Sequence, residues 1–228
     1  SPYNPNEVDL SKRLLKPGSV AKDGNFYLLG TDSLGRDQLS RMIYGSRVSI
    51  LVGLLGAVGA GIIGTVLGAV AGYFGGKIDE VIMRIVDIGL AIPFVLLAMS
   101  ISLFLGSGLL NVVMVLSVTG WMRFTRVTRG VALKVRKEVY IEAAITYNCP
   151  SRRVIFRHMI PNLIAPIIVI CSQQFGVMIY SEATLSFLGF GVPVDMPTWG
   201  RMVADGQSYI ASSWWISTIP GILLTITV

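Results

Sequence analysis

VSILVGLLGAVGAGIIGTVLGAVAGYFGG occupies residues 48–76, twenty-nine residues without Asp, Glu, Lys, Arg or His. A helix crosses the hydrocarbon of a bilayer in about 20 apolar residues, so this stretch is long enough to span. Gly56, Ala60, Gly64, Gly68 and Gly72 place a small residue at every fourth position. They share one helical face, where a second helix can approach closely in lipid. The stretch predicts a transmembrane helix over about 48–72 that belongs to a bundle.

Three more uncharged runs follow, at residues 88–122, 159–181 and 206–228, of 35, 23 and 23 residues. The first of these has room for two crossings, with a break at Gly106-Ser107-Gly108. The fold class is therefore all-α, a polytopic transmembrane helical bundle. Five spans are visible, at about 48–72, 86–105, 109–128, 160–182 and 213–228, the last truncated by the end of the sequence. Composition agrees. The 228 residues are 53% hydrophobic and 14% charged, where a soluble domain carries roughly a quarter charged residues. The runs have no polar face that could shield them in a soluble core.

The net charge of +6 suggests nucleic acid only until the charges are placed, because they sit between the runs. Residues 123–158 hold nine cations and two acids. An excess of Lys and Arg marks a cytoplasmic loop. Residues 1–47 and the loop 189–212 then fall outside. The domain reading is an extracytoplasmic segment 1–47 and a membrane domain 48–228. An outside start with seven cations and five acids is a mild exception to the rule. It is the reason to expect one more span before Ser1. Cys149 and Cys171 form no CxxC pair, and His158 is the single histidine. No disulfide framework or metal site follows from them.

Gly30-Thr31-Asp32-Ser33-Leu34-Gly35-Arg36-Asp37 imitates a phosphate loop. Arg36 and Asp37 stand where Lys and a hydroxyl residue are needed, and Asp37 would repel phosphate. The segment reads as a turn into a helix over 37–44, lying at the outer membrane surface. The cytoplasmic loop is more informative. Residues 137–147 favour helix, Asn148 suits a left-handed stop, and Pro150 suits the start of a second helix. Glu142-Ala143-Ala144 sets an acid beside two small residues, a surface that another protein can approach.

This segment resembles the EAA loop of ABC-transporter membrane subunits: Glu-Ala-Ala, three residues, Gly, nine residues, Ile, one residue, Leu-Pro. Glu142, Ala143, Ala144 and Pro161 fall at matching spacing. Asn148 replaces the Gly, Ile160 the Leu, and His158 the Ile. Arg157-His158 with Pro161-Asn162 is similar to the dipeptide, oligopeptide and nickel importer branch. So are Leu34-Gly35-Arg36-Asp37, Leu185-Ser186-Phe187-Leu188-Gly189 and Pro197-Thr198-Trp199-Gly200. The pattern resembles the C-type member of a permease pair over nearly the whole chain.

The resemblance implies an ABC-importer permease with six spans in the full chain, sited in the cell membrane and not itself an enzyme. It implies a second permease subunit, two cytoplasmic ATPase subunits and an extracytoplasmic solute-binding protein as partners, besides the lipid bilayer. ATP and Mg would sit on the ATPase subunits, with no cofactor on this chain. Glu142, Ala143, Ala144, Asn148 and Pro161 would couple to the ATPase, within a loop spanning 129–161. The cargo would be di- or oligopeptides, or in the alternative nickel or another small solute.

Polar residues in the spans are the other candidates. Asp87 pairs with Arg84 three residues before it or lines a path. Glu182 lines an outer gate or caps packing against the 186–191 turn. Ser172, Gln173 and Gln174 line a path or bond a neighbouring helix. Charges at such depth face protein or water. Trp199, Trp214 and Trp215 fit an outer aromatic belt. An ion-coupled carrier would show mid-membrane acids or repeated halves; here the acids sit near span ends.

Overall fold

The computed structural model describes residues 2–193 and 195–228. Ser1, at the edge of the expected 1–47 segment, and Val194, in the expected outer loop, lie outside the described residues. Helix α1 runs from Gln38 to Phe74, 37 residues. Asp37 starts it: one carboxylate oxygen accepts from the Ser40 N–H at 2.8 Å, satisfying a backbone donor that has no partner within the helix. Gly75 and Gly76 end it with φ of 63° and 52°, a region glycine enters freely. The helix expected over 37–44 is thus the first part of α1. No proline interrupts the sequence between the two.

Helix α2 covers Gly76–Ala91 and α3 covers Phe94–Leu105. They meet at a 96° bend. The span expected over 86–105 is therefore not one straight helix. Pro93 supplies no N–H and forces its predecessor out of the helical region; Ile92 is extended, with φ −83° and ψ 129°. Helix α4 covers Leu109–Val135, α5 Val139–Thr146 and α6 Ser151–Arg153. A π-wound stretch, Val154–Met159, carries α6 into α7, Ile160–Phe187. Helix α8 covers Trp199–Gln207 and α9 Trp215–Thr227. Near the start, β1 (Ser19–Val20) pairs antiparallel with β2 (Phe26–Tyr27).

Among the described residues, Gln38–Phe74 and Ser151–Phe187 are each long and apolar enough to cross a membrane, and the bent α2–α3 pair makes a third if counted as one span. This is fewer than the five expected. In α4 the uncharged part stops before Arg123, and α9 has 13 residues.

The chain forms two compact units. One comprises Ser1–Leu54, Ile101–Val112 and Gly176–Val228. Its interior is unusually polar. Arg41 is 2% exposed and lies 3.5 Å from Asp32 and 3.8 Å from Asp205. Trp199 and Trp215 are buried and donate to the carbonyls of Met42 and Thr31. They are interior anchors, and only Trp214 is exposed as a belt requires. An indole N–H finds an acceptor more readily inside this polar unit than at an apolar rim.

The other unit comprises Leu55–Ser100 and Val113–Phe175. Here the small-residue stripe of α1 meets α4. A Cβ on Gly68 would sit 2.7 Å from the Thr125 carbonyl oxygen, and one on Gly72 would strike Ala132. The core of this unit gathers Ala69, Tyr73, Ala132, Ile141, Val154, Ile155, Met159 and Leu163.

Candidate coupling site

Helix α5 is held from below by Ile141, which is fully buried in that core. Burying such a side chain contributes about 2 kcal/mol. Its stop follows from one residue. Asn148 has φ 58°, which lets the Cys149 N–H reach the Ala144 carbonyl at 3.0 Å and the Asn148 N–H reach that of Ile145 at 2.9 Å. This pair of bonds closes a helix end around a left-handed residue. Pro150 follows as the extended cap of α6, with φ −62° and ψ 137°. The helix–turn–helix expected from the sequence is present.

Glu142 is exposed in the first turn of α5, where a negative charge is favoured by the helix dipole. It lines a groove of about 500 Å³ with Ile145 and Thr146 of α5 and Leu133, Arg136 and Lys137 around the end of α4. Two cations and one carboxylate thus face a common space. Ala143 is exposed, whereas Ala144 is half-buried and packs against the core. Val139, Tyr140, Tyr147 and Phe156 add exposed apolar surface on α5, its cap and the π-wound stretch. Burial, and then the Glu138 carboxylate, push the Tyr140 phenol upward.

Pro161 stands in the first turn of α7, beyond the π-wound stretch. A proline ring cannot sit against the carbonyl four residues back, and wider winding upstream relieves that conflict. Glu142, Ala143, Ala144 and Asn148 share α5 and its cap. Pro161 lies two residues beyond Met159, which shares the core with Ile141.

The span residues separate. Glu182 is fully buried, accepting from the Ser186 hydroxyl at 2.7 Å and the Ser49 hydroxyl at 3.2 Å. Ser186 belongs to the 186–191 turn, and Ser49 to α1. Ser172 and Gln173 are exposed on α7, and Gln174 is 8% exposed. Ser172 donates to the Val169 carbonyl at 2.8 Å.

Asp87 does not pair with Arg84, as its spacing suggested. Arg84 faces Glu80 at 4.0 Å. Asp87 takes Arg126 of α4 at 2.5 Å. Arg129 grips Asp79 through two nitrogens, at 2.8 and 2.5 Å. These two interhelical pairs lie outside the reach of sequence reasoning. Partners 39 and 50 residues apart carry no local signal.

Residues 64–228 match the family described as binding-protein-dependent transport system inner membrane component. A probable D,D-dipeptide transport system permease protein of Escherichia coli is 38% identical over 225 residues, covering 99% of this chain and 74% of that protein. A dipeptide transport system permease protein of Alkalihalophilus pseudofirmus is 39% identical over 222 residues, covering 97% of this chain and 71% of that protein. A chain of the inward-facing MetNI methionine ABC transporter superposes with a TM-score of 0.68 at 17% identity, covering 83% of this chain and 89% of that one. The last match speaks to fold alone. Together with the helical bundle and the α5 groove, these findings show that the chain belongs to the family of binding-protein-dependent transport system inner membrane components, the permeases of ABC importers.

Proposed function

We propose that this permease carries di- or oligopeptides. It forms half of a translocation path with a second permease subunit, and it couples to two cytoplasmic ATPase subunits through α5. The cargo reading rests on the dipeptide names of the two relatives. The coupling reading rests on one observation: an exposed Glu142 on a short helix fixed from beneath, beside a groove with two cations. Such a helix can be pushed as a body, because Ile141 and the Asn148 turn hold it to the core.

ATP and Mg then belong to the partner subunits, and this chain performs no chemistry. Residues 123–158 face the cytoplasm, and 1–47 and 189–212 face outward, where a solute-binding protein delivers cargo. ATP binding closes the ATPase pair, and the push on α5 shifts the bundle between two access states. A ligand moves such an equilibrium only by binding the two states differently. Glu182, the Ser172–Gln174 group and Asp87 are the candidates for gate and path.

The test is to purify the full-length subunit from its native membrane in mild detergent and assay ATPase. Activity that accompanies wild type and is lost from a folded Glu142→Lys variant supports the reading. Absence of ATPase from both, with uptake driven by an ion gradient, overturns it.

A further inference from the structure

We propose that the groove beside α5 receives an acidic side chain of the partner ATPase, held by Arg136 and Lys137. The inference rests on the coupling reading and deepens it: that reading gives Glu142 to the partner, and this one gives it the two cations of the same groove. The groove, of about 500 Å³, is lined by Leu133, Arg136, Lys137, Glu142, Ile145 and Thr146. Its size is that of a small-ligand pocket, so it has room for a protruding side chain and its neighbours.

All three charges of the groove are exposed. The ion pairs among the described residues are made elsewhere in the chain. Arg136, Lys137 and Glu142 therefore stay unpaired although they share one space. The Arg136 guanidinium is placed by its surroundings: its Nη1 lies 3.2 Å from where a Cβ on Gly75 would stand. Thr146 turns its hydroxyl back into α5, donating to the Glu142 carbonyl at 2.9 Å. Leu133 and Ile145 add apolar surface. The complement of such a groove carries a carboxylate toward the cations, an apolar group against Leu133 and Ile145, and no second carboxylate beside Glu142. Opposite charge orients the right contact, and like charge opposes the wrong one. A guanidinium also grips a carboxylate through two nitrogens, which fixes its direction.

Anionic lipid is the competing source of negative charge, and distance argues against it. The uncharged part of α4 ends at Met122. The helical backbone continues to Arg136, whose N–H donates to the Ala132 carbonyl at 2.9 Å. Between these two residues the helix rises by about 20 Å. Lipid head groups extend only about 5–8 Å beyond the hydrocarbon on each side. The groove thus stands clear of them, and a lipid phosphate entering it would meet Glu142. Exposed Val139, Tyr140 and Tyr147 on α5 and its cap are surface of the kind that protein interfaces enclose.

The experiment uses the full-length permease with its co-purified subunits. A carbodiimide, which joins a carboxylate to an amine in direct contact, is applied, and the linked peptides are identified by mass spectrometry. A link from Lys137 to an Asp or Glu of the ATPase is expected. Retention of ATPase on the immobilised permease is measured beside it, at about physiological salt. Arg136→Gln with Lys137→Gln is expected to lower retention about tenfold, the effect of two surface ion pairs. Arg152→Gln with Arg153→Gln removes the same charge from exposed positions outside the groove and is expected to lower it by about twofold at most. Lys137→Arg is expected to keep retention and lose the link. Lys137 joined only to acids of its own chain, unchanged retention in the groove variant, or an equal loss in both paired variants overturns the acidic occupant. If Glu142→Lys still loses ATPase in that case, the coupling reading stands without it; absence of ATPase from wild type overturns both. A loss seen in vesicles containing phosphatidylglycerol, and not in phosphatidylcholine alone, makes lipid the occupant and overturns the inference as well.

Discussion

Asn148 concentrates the coupling site in a single backbone angle. Its φ of 58° is accessible to Asn and Gly and strained for a β-branched residue. Asn148→Gly is expected to be nearly neutral. Asn148→Val is expected to destabilise the loop by about 1–2 kcal/mol, read as a lower unfolding midpoint and weaker ATPase coupling. Charge is the second theme at this scale. Lys12 holds the Asp9 and Asp23 carboxyls below the usual range, with Ser11 the larger influence at Asp9. Stability from groups with lowered folded values is present above the unfolded value, and it is lost as pH falls through the folded one. Hydrogen exchange across residues 9–25, corrected for intrinsic rates, is expected to stay low at pH 7 and to rise below about pH 4. Unchanged protection there would mean the pairs do not hold the segment.

These residues also mark what a sequence can and cannot disclose. The Asn148 stop was legible because capping is local chemistry. The burial of Trp199 and Trp215 was not, because indoles suit both a membrane rim and a polar interior. Asp87 misled through a nearer candidate partner on its own helix.

At the scale of elements, the two ion pairs fix α2 against α4. Asp79 and Arg129 are the more enclosed pair, with side chains 14% and 33% exposed, and their two-pronged geometry favours Arg over Lys. Asp79→Arg alone is expected to lower both stability and coupled ATPase activity, by two- to threefold or more in activity. The swap Asp79→Arg with Arg129→Asp is expected to recover part of the loss. Failure of the swap, with intact folding of each single variant, would show that the pair is not a strut. The Pro93 corner is legible in the proline and its predecessor, which carry the backbone rule; an uncharged run long enough for two crossings masks it by suggesting unbroken spans. The stripe at Gly64, Gly68 and Gly72 is legible as a packing face, because close approach needs only the absence of side chains. Which helix it meets, α4, depends on tertiary contacts.

For the whole molecule, the proposed orientation sets residues 123–158 and residues 1–47 on opposite sides of the membrane. Arg152, Arg153 and Arg157 are exposed on the coupling side, and Arg13 and Lys22 are exposed in the N-terminal segment. Trypsin is expected to cut at the first group in inverted membrane vesicles and at the second in right-side-out vesicles. The opposite assignment would reverse the topology, and cutting at both groups from one side would show that they do not lie across the membrane from each other. The helical class was legible from hydropathy alone. The division into two units was not, since each unit is assembled from separate stretches of chain. A pattern read along the sequence sees neighbours, while a unit is defined by what returns to meet it.

Helix α1 has a mechanical property that its composition does not advertise. Its 37 residues extend for about 55 Å, roughly 25 Å beyond the hydrocarbon thickness of a bilayer. It contains no proline, the commonest cause of a sharp kink. A continuous helix of this length overruns the lipid, and the surplus leaves room for its first ten residues, Arg41 and Arg47 among them, to stand clear of the hydrocarbon.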